Sequence, residues 1–197
     1  MRCLSFLFVA AFALTGCFSV KVGMDFSDGE NASVNMQMSM NQQLYNFMTT
    51  SGQGSGNPCE EGTVTFEGER VICTFADTAS IAEALESAAQ EQARSQGPEL
   101  DPLSDIGLVE VGPRTLALTL PLDPEGGDDA SAAEMINPFR EQLQGETFEY
   151  VVVAKEIVST NGVISDDGTT ATLVVNVIDI LEPTSDTPKL FEATFKY

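Results

Sequence analysis

An α+β fold, an antiparallel β-sheet built from hairpins with two or three helices packed mainly on one face, is predicted by three features of the sequence. Apolar residues recur with a period of two over most of the chain. Tight-turn dipeptides separate those stretches, and at intervals the period lengthens to that of an amphipathic helix preceded by a capping box. A chain of 197 residues with 43% apolar content is long enough to bury a real core.

The first hairpin starts at Phe18. Phe18, Val20, Val22, Met24 and Phe26 alternate with Ser19, Lys21, Gly23 and Asp25, the pattern of a strand with one buried face. Ser27-Asp28-Gly29-Glu30 is turn chemistry, Asp-Gly being a strong hairpin signal. Val34, Met36, Met38 and Met40 then alternate with Asn35, Gln37 and Ser39 as the returning strand. Asn41 is placed to cap a short helix that turns Leu44, Phe47 and Met48 inward, and the glycine-rich residues 51–58 read as a loop.

The plan then recurs. Val64 and Phe66 face Val71, Cys73 and Phe75 across a turn at Glu67-Gly68-Glu69. Ser80 and Glu83 form a capping box before the clearest helix, which carries Ile81, Ala84, Leu85, Ala88 and Ala89 on one face and ends at Gly97-Pro98. A third pair of strands, residues 108–111 and Leu116, Leu118 and Leu120, turns at Gly112-Pro113. An acidic loop, 123–129, leads to a second capping box, Ser131 and Glu134, and a helix with Ile136, Phe139 and Leu143 inward that Pro138 kinks or restarts. Two strands and a helix thus occur three times, as a plan without matching residues. In the last third, residues 148–158, 173–180 and 190–197, separated by Asn161-Gly162 and Asp167-Gly168 turns and a proline-rich loop, predict three more antiparallel strands. The runs Val151-Val152-Val153 and Leu173-Val174-Val175 predict strands covered on both faces, at the middle of the sheet.

The formal net charge is -21. Such a surface repels nucleic acid and anionic head groups, which excludes nucleic acid as a partner. Scattered carboxylates serve solubility, and weak cation binding is the less common use of them.

Residues 1–16 read as an export signal. Arg2 gives a short positive end, and residues 4–14 form an apolar segment long enough for export but not for spanning a bilayer. Leu14-Thr15-Gly16-Cys17 resembles the lipobox of bacterial lipoproteins. The resemblance implies cleavage before Cys17, a diacylglycerol on its sulfur, and a single lipid-anchored domain over residues 17–197. It also implies a place outside the cytoplasm, held to the membrane through the anchor. In a Gram-negative cell, Phe18 after the cysteine implies the outer membrane, on its periplasmic side or at the surface. With Cys3 in the signal and Cys17 acylated, Cys59 and Cys73 remain as a disulfide pair in an exported chain. That bridge closes a loop of about 15 residues and contributes about 3 kcal/mol in the chain-entropy picture.

A lipobox followed at once by an alternating strand, the Asp28-Gly29 turn, a second strand and a helix, and later by the Asn161-Gly162 turn before a strand-rich end, is similar to the domain of the mycobacterial LppM lipoprotein family. The resemblance covers most of the chain after Cys17 and implies lipid or glycolipid binding at the envelope.

Five methionines, Met24, Met36, Met38, Met40 and Met48, crowd the first hairpin and its helix. Period two puts Met36, Met38 and Met40 on one face, near Met24. Filling irregular gaps in a core is the commonest use of such residues. An adaptable groove for acyl chains or another apolar ligand is the reading that carries a function, and a thioether Cu(I) site is a third. Neither histidine nor a free mature thiol is there to assist copper, so no metal and no cofactor is expected. The acidic stretches 25–31, 123–129 and 166–168 read as solvated turns and caps, because they lack the alternating ligands and distant glutamate of a calcium loop.

Catalysis finds no support. The chain has no histidine, which excludes Ser-His-Asp and Cys-His arrangements, and no nucleophile elbow, phosphate loop or dinucleotide fingerprint. The expectation is a non-enzymatic envelope lipoprotein that binds a lipid or other apolar ligand. The alternative is a structural or assembly lipoprotein that contacts another envelope protein through its acidic face or an exposed sheet edge.

Overall fold

The computed structural model describes residues 18–50, 59–60, 62–94, 107–122 and 140–197. In chain order these form β1 (Phe18–Asp25), β2 (Asn31–Asn41), α1 (Gln42–Thr50), β3 (Thr63–Glu67), β4 (Arg70–Ser80) and α2 (Ile81–Arg94). They continue with β5 (Gly107–Gly112), β6 (Thr115–Pro121), α3 (Arg140–Leu143), β7 (Thr147–Val153), β8 (Glu156–Thr160), β9 (Val163–Ile164), β10 (Thr170–Asn176), α4 (Val177–Leu181) and β11 (Leu190–Lys196).

The expected hairpins form where turn chemistry placed them. β1 pairs with β2 from Phe18↔Met40 to Asp25↔Ser33, and Gly29 in the turn has φ 78°, a conformation that suits glycine. β3 pairs with β4 across a turn in which Gly68 has φ 63°. Asn41 caps α1, its Oδ1 accepting from the Leu44 amide at 2.7 Å. The Ser80–Glu83 box closes in both directions, with Ser80 N to Glu83 Oε2 at 3.0 Å and Glu83 N to Ser80 Oγ at 3.2 Å.

The single antiparallel sheet is not what forms. Among the described residues strands dominate, helices are few, and the strands divide between a seven-stranded sheet, β3-β4-β2-β1-β7-β10-β9, and a four-stranded one, β5-β6-β11-β8. The larger sheet is mixed, because β1 and β7 run parallel, from Val20↔Phe148 to Asp25↔Val153. The smaller one is antiparallel throughout.

Residues 148–158 are therefore not one strand. Hydrogen bonding changes sheets at Ala154-Lys155: Ala154 N donates to Thr169 O at 2.9 Å, beside β10, and Lys155 N donates to Lys196 O at 3.0 Å, on β11. β7 ends in the large sheet and β8 begins in the small one. Apolar periodicity cannot signal such a switch, since both halves bury one face. Residues 173–180 also divide, because Val177 N turns to Glu146 O at 2.9 Å and opens α4 in place of a longer strand. β7 and β10 are both interior strands as expected, but β10 is covered on one face only, and Val174 is 56% exposed on the other.

The two sheets share the main core. Leu116, Leu118, Leu120, Phe191, Ala193 and Phe195 of the small sheet lie in one cluster with Met24, Val152, Ala171 and Val175 of the large one. Phe26 and Phe195 are in ring contact at 4.6 Å, and Tyr150 and Phe191 at 6.0 Å. α2 adds Ile81 and Ala88, with Ala84 and Leu85 beside them. A second, smaller cluster of Met40, Cys59, Val71 and Cys73 lies at the β3-β4-β2 wing, with Phe18, Met38, Leu44, Tyr45, Val64 and Phe75 against it.

Candidate functional site

Strand register puts the large sheet's apolar residues in rows that cross it. Paired residues in adjacent strands share a face. One row runs Cys73, Met38, Val20, Phe148, Val175; the next runs Phe75, Met36, Val22, Tyr150, Leu173; a third runs Asp77, Val34, Met24, Val152, Ala171. All lie on the inner face, the one that meets the small sheet.

Covering is uneven along those rows. Met24 is buried in the main core, and Met40 is buried in the wing cluster. Met38 is half-buried against the wing cluster, while Met36 is half-buried and belongs to neither. Val34, opposite Met24, is 39% exposed although its side chain shares the inner face. Phe75, Val22, Tyr150 and Leu173 are half-buried along the row of Met36. Burial also pushes the Tyr150 phenol above its usual pKa, as expected for a polar group set in this apolar row. The four described methionines are therefore not one patch. Met24 and Met40 fill cores at opposite ends of the hairpin, Met36 and Met38 lie between them, and the Met48 side chain is outside the described residues.

Cys59 and Cys73 are joined, with Cα atoms 5.4 Å apart, and both are buried. The bridge ties the turn at Cys59 to the middle of β4, beside Val71 and Met40, so it closes over the wing cluster. Cys17 and residues 1–16 lie outside the described residues, as do the acidic loop 123–129 and the Ser131–Glu134 box.

The outer face of the same sheet is polar at its centre, where sequence reading sought no site. A depression of about 220 Å³ is lined by the outward residues Ser19, Lys21, Gln37, Ser39, Thr147 and Glu149. Lys21 pairs with Glu149 at 3.0 Å, and Arg70 Nε donates to the Ser39 hydroxyl at 3.0 Å. The signal for it was the polar half of the alternation in β1 and β2. Hydroxyls, an amide and one ion pair can hold a polar molecule loosely.

A shallower depression of about 160 Å³ lies at the first turn, lined by Asp25, Ser27, Asp28, Asn31, Ser33 and Thr78. Its carboxylates serve the turn. Asp28 Oδ1 accepts from the amides of Asn31 and Glu30, each at 2.7 Å, and Oδ2 accepts from Asn31 Nδ2 at 2.9 Å. These bonds, that to the Asn31 amide first, hold the Asp28 carboxyl below its ordinary pKa. Asp167 serves the Gly168 turn similarly, accepting from Ser165 Oγ at 2.6 Å and from the Thr169 amide at 3.1 Å. Among the described residues no group of three or more cysteine, aspartate or glutamate side chains converges on a metal position. Among the same residues no helix is long and apolar enough to cross a membrane.

No family model matches the chain, and no curated protein matches it. Among solved structures, the chain is similar to the folded domain of the Mycobacterium tuberculosis LppM protein, determined by NMR. The TM-score is 0.45 and the identity 13%, over 96% of this chain and 95% of that one.

Proposed function

We propose that the chain is a lipid-anchored envelope lipoprotein, held at the membrane through Cys17, that acts as a non-enzymatic binding module for a lipid or other apolar ligand. The observation that carries this reading is the half-buried row Phe75, Met36, Val22, Tyr150, Leu173, which packs on the main core through Val22, Tyr150 and Leu173 and on the wing cluster through Phe75, leaves Met36 against neither, and adjoins the exposed Val34. The unbranched side chain of Met36 in this row, with Met38 next to it on the same face of β2, can adjust to a flexible chain. An acyl chain laid along the row would remove apolar surface from water, at roughly 25 cal/mol per Å² covered.

Organic extraction of the purified native protein, followed by mass spectrometry, tests the ligand. The reading expects a stoichiometric lipid beyond the anchor, and protein that yields the anchor alone would overturn it. Cys17→Ser tests the address: release from membranes or blocked processing is expected, and normal processing with membrane retention would overturn it.

A second reading, an assembly lipoprotein, has one observation in its favour. β3 is an edge strand of the large sheet, and Phe66 on it is 59% exposed, with Tyr45 in ring contact edge-on at 6.3 Å. An edge strand with an exposed aromatic residue suits strand addition by a partner protein. Crosslinking in cells through a photoreactive residue at Phe66 separates the two, since only the assembly role yields a stoichiometric protein adduct.

A further inference from the structure

The chain passes from the small sheet to the large one at Asn161-Gly162, between β8 and β9. β8 ends at Thr160, but the Asn161 side chain extends its pairing with β11. Asn161 Nδ2 donates to Leu190 O at 2.7 Å, and the Glu192 amide donates to Asn161 Oδ1 at 2.9 Å. Thr160 Oγ1 adds a bond to Glu192 O at 2.7 Å and accepts one from the Gly162 amide at 3.0 Å. Glycine is required next to Asn161 by space: a Cβ there would sit 2.4 Å from the Thr172 carbonyl oxygen. Each residue of the pair is thus fixed by a separate contact, and together they form the dipeptide most prone to cyclise.

We propose that Asn161 is a deamidation-sensitive latch on the start of β11, protected while it is closed. In the reaction the deprotonated Gly162 nitrogen attacks Asn161 Cγ, a C–N bond forms, and ammonia leaves from the side chain. Water then opens the resulting succinimide to aspartate or isoaspartate. In the closed turn both partners are engaged. The Gly162 N–H points to Thr160 Oγ1, and the side-chain amide is held by two bonds to β11, away from that nitrogen. Reaction therefore requires the turn to detach. Afterwards an oxygen replaces Nδ2 and faces the Leu190 carbonyl, so two acceptors oppose each other and the bond cannot reform. A transient opening becomes a permanent one, at the junction of the two sheets.

Peptide mapping of Asn161 conversion at mildly alkaline pH, in the native full chain and in the same chain unfolded in urea, tests the protection. Conversion in the native chain should be slower by about tenfold or more, as for other events gated by local opening. Thr160→Val should raise the native rate and leave the urea rate unchanged. Asn161→Asp, or deamidated wild type isolated by ion exchange, should lower the melting temperature and the amide protection of residues 160–162 and 190–192. Equal rates in native and unfolded chains would overturn the protection, and unchanged melting and exchange in the deamidated protein would overturn the latch.

Discussion

Met24 and Met40 extend from the same face of the seven-stranded sheet, at opposite ends of the β1–β2 ladder, into two different buried clusters. Met36 and Met38 lie between them on β2, half-buried. One alternating pattern thus covers two fully packed positions and an intermediate stretch, and the four residues should behave differently when altered.

Truncation separates them. Met24→Ala and Met40→Ala should each cost about 2–5 kcal/mol of unfolding free energy, the range for emptying a closed core site. Met36→Ala should cost about 1 kcal/mol or less, because Met36 is only half-buried and belongs to neither cluster. Urea denaturation followed by fluorescence or circular dichroism measures both, and equal losses at Met36 and Met40 would mean that the stretch between the clusters is closed.

Oxidation gives an independent ranking. Dilute peroxide should convert Met36 and Met38 to sulfoxide before Met24 and Met40, since reaction follows exposure. Mass spectrometry of peptides taken early in the reaction measures the order, and bound apolar ligand should slow Met36 in particular.

Reduction of the Cys59–Cys73 bridge should destabilise the fold by about 3 kcal/mol. Both sulfurs lie in the wing cluster, so the loss should first loosen β3, β4 and α1. Hydrogen exchange of the reduced protein should show it, with β6 and β11 retaining their protection.

Acid should destabilise the turns. Asp28 and Asp167 have folded pKa values held below the ordinary 3.8, by the Asn31 amide foremost for Asp28 and by the Ser165 hydroxyl foremost for Asp167. Groups lowered on folding contribute stability that is complete above the unfolded pKa and lost as pH falls through the folded one. The loss from these two carboxylates therefore belongs below pH ~4. Asp28→Asn should flatten the acid limb of the stability profile while leaving its shape between pH 6 and 8 unaltered, which thermal melts across pH measure.

Local signals were legible, and the choice of partner was not. Asp28-Gly29, Gly68, Asn41 and the Ser80–Glu83 box act within a few residues, so the sequence at those points already holds the physics that shapes them. The parallel pairing of Val22 with Tyr150 joins residues more than a hundred positions apart, and neither strand's alternation says which neighbour it will take. The passage from β7 to β8 at Ala154-Lys155 was hidden because a strand that changes sheets keeps burying every second residue. Val158 marks the irregularity after that passage: Ile157 pairs with Phe195 and Ser159 with Thr194, which leaves Val158 as the extra residue of a bulge, 49% exposed. At the candidate site, period two correctly put the methionines on one face. It could not show that the face ends in two separate cores, because that depends on where the small sheet and α1 stop covering it.

The central claim is that the row through Met36 takes an apolar ligand, and titration of the delipidated protein with a fluorescent long-chain fatty acid tests it most directly. Three proteins are compared: wild type, Met36→Asp, and Val174→Asp on the opposite face, each shown to keep the wild-type near-ultraviolet circular dichroism. The account predicts saturable binding by wild type and Val174→Asp and its loss in Met36→Asp. Absence of saturable binding to wild type, or equal binding by all three folded proteins, would contradict it.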